Sequence, residues 1–101
     1  MKKWKIRFTP ESSRLLSKLH PENKRRIKKA LGELQQDPYP GKDLQEELSG
    51  FKSLRIKKYR VVYNINEEEK IIQILYIDRR SDVYEQFRHL LTELKNFSST
   101  V

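Results

Sequence analysis

The chain reads as a single α+β domain: a small antiparallel-rich sheet, an N-terminal helical hairpin on one of its faces, and a C-terminal helix. Three observations predict this class. Apolar residues alternate at period two near the N-terminus and again between residues 53 and 77, they recur at the helical period between residues 10 and 36 and after residue 82, and prolines at 10, 21, 38 and 40 punctuate the change. At 101 residues the domain spans 1–101, since folding at this size buries roughly 60 to 65% of the unfolded chain's surface, enough for one core.

Trp4, Ile6 and Phe8 alternate with Lys3, Lys5 and Arg7, as in a strand with one buried face. Thr9 offers a hydroxyl cap and Pro10 suits a first helical position, so a short helix is predicted from Glu11 to about Leu19, burying Leu15, Leu16 and Leu19. His20-Pro21 interrupts it. A second helix begins at Pro21, with Ile27, Ala30, Leu31 and Leu34 on one face and Lys24, Arg25, Lys28 and Lys29 mostly elsewhere. Asp37-Pro38-Tyr39-Pro40-Gly41 ends the hairpin, because neither a proline nor the residue before it suits helical geometry.

Leu44 to Leu48 reads as a short irregular strand or loop, closed by Ser49-Gly50. Ser53 to Lys57 and Tyr59 to Asn66 are predicted strands, Glu67-Glu68-Glu69 a solvated turn, and Ile71 to Ile77 a buried strand. From about Asp82, an amphipathic helix carries Val83, Phe87, Leu90, Leu91, Leu94 and Phe97 on one side, and the tail from Ser98 to Val101 is expected to fray. With the hairpin over one face of the sheet, the other is expected to stay open.

Twenty-two Lys and Arg against fourteen Asp and Glu leave a net charge of +8, which favours polyanionic partners, nucleic acid first. The chain has no cysteine, which excludes disulfides and thiolate metal sites and fits a cytoplasmic protein. No apolar run approaches the roughly 20 residues needed to cross a bilayer, and the N-terminus lacks a signal-peptide core. A soluble, unprocessed protein with no membrane partner is the expectation.

The cations are concentrated. Leu54-Arg55-Ile56-Lys57-Lys58-Tyr59-Arg60-Val61-Val62-Tyr63 interleaves strand formers with cations and no acid, and Asp78-Arg79-Arg80-Ser81-Asp82-Val83-Tyr84 follows about twenty residues later. Strand alternation sets Leu54 and Ile56 against Arg55 and Lys57, and Tyr59, Val61, Tyr63 and Ile65 against Arg60, Val62 and Asn64. A register that brings Arg55 and Arg60 to the open face would build a concave cationic patch for a phosphate backbone.

These segments resemble the RelE/ParE superfamily of bacterial and archaeal toxins from toxin-antitoxin pairs. The resemblance rests on Leu54-Arg55, Tyr59-Arg60-Val61-Val62-Tyr63 and Arg80-Ser81-Asp82-Val83-Tyr84, and the hairpin and chain length extend it to nearly the whole chain. It implies a RelE-like mRNA interferase, an endoribonuclease that enters the ribosomal A site and cuts mRNA without metal or cofactor, held in check by a cognate antitoxin. By position, Arg60 and Arg80 would bind phosphate and stabilise the transition state, and Tyr84 would take the proton from the 2′-hydroxyl or stack on a base. Arg55 would also bind substrate, with Lys52, Lys57, Lys58 and Arg79 as further contacts. The chemistry is coherent, because guanidinium forks can stabilise charge developing on phosphate oxygens.

Two departures keep a second branch open. Phe51 and Ser53 stand where RelE-like nucleases carry lysines, and Asp78 stands where a basic residue is expected. The ParE-like branch shares the fold and poisons DNA gyrase instead. A non-catalytic nucleic-acid-binding module is the third reading, with the arginines only neutralising phosphates. His20, His89, Glu46 and Glu47 are weaker acid-base candidates, placed by pattern in turns or on solvated faces, and there is no glycine-rich phosphate loop.

Overall fold

The computed structural model describes residues 4–79 and 83–99, with side chains in the last helix described for residues 84–92. The order is β1 (Lys5–Phe8), α1 (Pro10–Ser17), α2 (Pro21–Gln36), β2 (Lys42–Asp43), a 3-10 turn (Glu46–Leu48), β3 (Lys52–Ile56), β4 (Tyr59–Asn66), β5 (Ile71–Asp78) and α3 (Val83–Ser99). The five strands form one sheet in the order β1-β5-β4-β3-β2. β1 runs parallel to β5, and the other pairings are antiparallel.

Local chemistry sets the helix starts. Thr9 Oγ1 accepts from Ser12 N at 3.2 Å, while the buried Ser12 Oγ donates to Ile74 O at 2.7 Å and fastens α1 to β5. His20 Nδ1 accepts from Glu22 N at 3.3 Å, so the histidine that interrupts the first helix caps the second. Along α2, Ile27, Leu31 and Leu34 are buried at the expected period.

The core lies on both sides of the sheet. Leu16, Ile27, Leu31 and Leu34 of the hairpin pack on Val61, Tyr63, Ile72, Ile74 and Ile77. On the opposite face Leu48, Val62 and Phe87 form a second cluster, flanked by Phe51, Leu75, Tyr76 and Leu91. Val61, Val62 and Tyr63 are therefore fully buried one after another, β4 being covered on both faces. The β4–β5 register shifts between Val62 and Tyr63, which lets Leu75 and Tyr76 both join the second cluster.

That second cluster corrects the expectation of an open face. The Phe87 ring meets Phe51 edge-on at 5.0 Å between centroids and closes the centre of the face, because the apolar side of α3 needs cover and the hairpin side is already full. Element bounds differ in detail as well. Of the two readings for 44–48, irregular strand or loop, the structure has the loop, which contains the 3-10 turn with Glu46 at φ +56°, and the edge pairing falls on Lys42 and Asp43. The expectations for Asp82, Thr100 and Val101, and for the side chains of Val83, Leu94 and Phe97, lie outside the described residues.

Tyr63 locks the segment between the layers. Its Oη donates to Pro38 O at 3.0 Å and accepts from Gly41 N at 3.0 Å, and a Cβ on Gly41 would overlap that oxygen. The Pro-Gly turn is therefore pinned by a buried phenol. Burial pushes this phenol above its ordinary value near 10, against the opposing pull of the Gly41 N–H. Among the described residues, no helix is long and apolar enough to cross a membrane.

Tyr63→Phe should lower stability by about 1–3 kcal/mol at pH 7, since Gly41 N loses its acceptor and Pro38 O its donor. The unfolded chain releases the tyrosine proton first, so the stabilisation is full below about pH 10 and is lost as pH rises toward the higher folded value. Urea unfolding from pH 7 to 11 should therefore show a shallower alkaline decline in Tyr63→Phe. An unchanged midpoint at pH 7 would reject the latch.

Candidate functional site

The β3–β4 hairpin turns on Lys57 and Lys58, and its register sets Arg55 directly opposite Arg60. Arg60 is in turn opposite Asp78 on β5. The row Arg55, Arg60, Asp78 thus crosses three strands on the α3 side, beyond the part that Phe87 covers. Like charges facing each other weaken a strand pair, so this register concentrates cations against the sheet's own preference. Arg55 is exposed, its Nε donating to Lys57 O at 3.3 Å.

Tyr84 stands in the first turn of α3, three residues before Phe87, and helical spacing keeps the two rings on one side. With Phe87 seated beside Val62, Tyr84 comes to rest over Ser53 and Arg60. Its Oη is 2.8 Å from Ser53 Oγ, and Arg60 Nη1 donates to the same oxygen at 3.3 Å. The Arg60 guanidinium carbon lies 5.8 Å from the Tyr84 ring centre. Ser53 is 6% exposed and holds the phenol from beneath.

Beside this contact, Arg55, Lys58, Arg60 and Arg79 line an open depression of about 260 Å³. Four cations and no acid make it suited to a phosphate, with planar forks from three arginines and a point charge from the lysine. A phenol held beside one of those forks can exchange a proton with a ligand, or stack on a base.

The structure therefore brings Arg55, Lys58, Arg60, Arg79 and Tyr84 together, with Lys57 at the neighbouring turn position. It does not bring Lys52 to them. Strand alternation puts residue 52 with Leu54 and Ile56 on the hairpin side, where Lys52 Nζ lies 2.8 Å from Asp43 Oδ1 and 3.4 Å from Gly41 O. Arg80 lies outside the described residues. Asp78 Oδ1 accepts from Arg79 N at 2.6 Å.

Glu47 forms an ion pair with Arg88 of α3 at 2.5 Å, and His89 is exposed. Among the described residues, no group of three or more His, Cys, Asp or Glu is placed to hold a metal ion. Ser53 is the contact the sequence reading missed as a functional group. Its alternation with Arg55 placed it on the right face, but only the arrival of α3 gives its hydroxyl a partner.

A mixed sheet between a helical hairpin and a lone helix, with a basic notch and a phenol at its rim, defines a small α+β protein. Its class is that of the RelE-like toxins of toxin-antitoxin pairs. The family model described as the ParE toxin of type II toxin-antitoxin system, parDE, matches residues 6–84, and the chain belongs to this family within the RelE/ParE superfamily. Toxin RelG of Mycobacterium tuberculosis is 37% identical over 83 residues, covering 80% of this chain and 95% of the relative. The RelBE2 toxin-antitoxin complex of the same organism contains a chain that is 36% identical, with a TM-score of 0.72 over 77% of this chain and 99% of that one. The isolated E. coli RelE toxin, at 19% identity, has the same fold, with a TM-score of 0.67 over 87% of this chain and 98% of its own. The α+β class with hairpin and C-terminal helix expected from the sequence is the fold of these proteins.

A double-mutant cycle tests the Tyr84 seat. Ser53→Ala and Tyr84→Phe should show a coupling of about 0.5–1.5 kcal/mol in unfolding free energy, the size of one hydrogen bond. Strict additivity would mean that the two hydroxyls do not interact in solution.

Proposed function

We propose that this toxin is an endoribonuclease that acts in the cytoplasm, enters the ribosomal A site, cleaves mRNA and so halts translation until a cognate antitoxin covers the site. The observation that carries the reading is the Arg60 guanidinium donating to the Tyr84 hydroxyl at the rim of a depression lined by four cations. Arg55, Lys58, Arg60 and Arg79 hold the scissile phosphate. Tyr84, reacting as phenolate, takes the 2′-hydroxyl proton as that oxygen attacks phosphorus; the P–O5′ bond breaks, water protonates the departing 5′-oxygen, and a 2′,3′-cyclic phosphate and a 5′-hydroxyl result. Charge building on the phosphoryl oxygens is met by Arg60 and, on the family resemblance, by Arg80. Ser53 keeps the phenol oriented through these steps.

The antitoxin assignment is supported by the relative solved as a toxin-antitoxin complex. An acidic or amphipathic segment fits the basic notch and the net charge of +8. A second reading, inhibition of DNA gyrase, is favoured by the ParE description of the matching family and by Ser53 in a position that carries lysine in RelE-like nucleases.

Arg60→Ala, Arg80→Ala and Tyr84→Phe should each slow ribosome-dependent mRNA cleavage by about 10²-fold or more and relieve growth arrest, with the circular dichroism spectrum unchanged. Full toxicity in all three variants would reject the site. Purified toxin that blocks gyrase supercoiling while leaving ribosome-bound mRNA intact would select the second reading.

A further inference from the structure

We propose that the RNA strand held at the Arg60–Tyr84 site continues across the β3–β4 turn into a second subsite, between that turn and the N-terminal end of α2, which takes a flanking single-stranded nucleotide. The inference rests on the ribonuclease reading and extends it.

The subsite is a depression of about 370 Å³ lined by Asn23, Arg26, Lys57, Lys58, Tyr59 and Arg79. It shares Lys58 and Arg79 with the first depression, so the two adjoin at the end of the sheet. Its volume falls in the range of pockets that hold small ligands. Of its lining side chains, four are cations and none is an acid. Arg26 forms an i,i+4 ion pair with Glu22 at 3.2 Å, and both side chains are about half exposed, so a phosphate can compete for the guanidinium at little cost.

The backbone of the turn is the second argument. Lys57 has φ +57°, in the left-handed region, where a two-residue hairpin turn ordinarily carries glycine, asparagine or aspartate. A lysine there keeps an exposed cation at a conformational cost, and strain of this kind collects at functional positions. Third, Asn23 Nδ2 donates to Tyr59 Oη at 3.2 Å, which holds an amide and a phenol together among the cations. An aromatic residue, an amide and four cations lining one depression are the combination that single-stranded RNA recognition uses.

The test compares binding of fluorescent 2′-O-methyl RNA of three and seven nucleotides to the full-length toxin across a salt series. The heptamer should bind about 10-fold tighter than the trimer. Lys57→Gly combined with Arg26→Gln should remove that advantage and lower the heptamer's log-log salt slope by about 1.4, at roughly 0.7 per phosphate contact. The trimer should lose less affinity than the heptamer, since Lys57 stands beside the first site and Arg26 does not. Lys57→Gly relieves the left-handed strain, so unfolding does not account for the loss.

A heptamer that binds no tighter than the trimer, or a double variant that keeps the full advantage, overturns the subsite. Equal binding of a duplex DNA of the same charge overturns the assignment to single-stranded RNA. Trimer binding that is indifferent to Arg60→Ala identifies the ribonuclease reading itself as the failure.

Discussion

The centre of β4 is buried on both faces, and this constraint places everything else. Val61 and Tyr63 face the helical hairpin while Val62 faces the other way, and none of the three has any exposure. A strand with apolar residues on both sides needs two covering layers. The hairpin supplies one. The other falls to α3, whose Phe87 sits beside Val62, and one helical turn earlier that same packing delivers Tyr84 to Ser53 and Arg60. The geometry of the phenol is thus set by the hydrophobic core, so the site is held with the rigidity of packed side chains.

Around that packed centre the molecule distributes charge unevenly. Arg55 and Arg60 face each other across a strand pair, two lysines occupy the adjoining turn, and Arg79 follows β5. Repulsion among these groups is tolerable because they lie at the exposed end of the sheet, where water and salt screen them. Where cations sit on less exposed ground they have partners, as Lys52 does in Asp43. The notch itself is lined by Arg55, Lys58, Arg60 and Arg79 with no acid among them, which leaves it open to a phosphate chain.

Much of this was legible in the sequence because the decisive patterns are local. Alternation through Tyr59 to Asn66 identified β4 and assigned Val61 and Val62 to opposite faces, and the helical period identified both hairpin helices. Alternation also set Arg55 and Arg60 against the buried residues, though only the observed register could make them direct partners. Lys52 was within reach of the same argument, since it shares a face with Leu54 and Ile56. The contacts that escaped are those made between layers. Ser53 gains its meaning from α3, and Asn23 and Arg26 reach the notch from α2, so no spacing along one strand could announce them. The capping role of His20 was likewise hidden, because histidine is not a usual first choice for that position.

The pairing of β1 with β5 has a consequence in time. Lys5 is aligned with Ile71, and among the described residues β1 has β5 as its one strand neighbour. During synthesis the first strand must therefore wait for a strand made roughly 65 residues later, several seconds at translation rates of about 5–20 residues per second. The hairpin helices can form early from local contacts, but their apolar faces stay uncovered until β4 and β5 arrive, and α3 follows both. Tyr84 is thus among the last parts of the described chain to be made. A nascent copy that has reached residue 79 carries Arg55, Arg60 and Arg79 but not yet Tyr84, so the cationic notch is made before the phenol that stands at its rim.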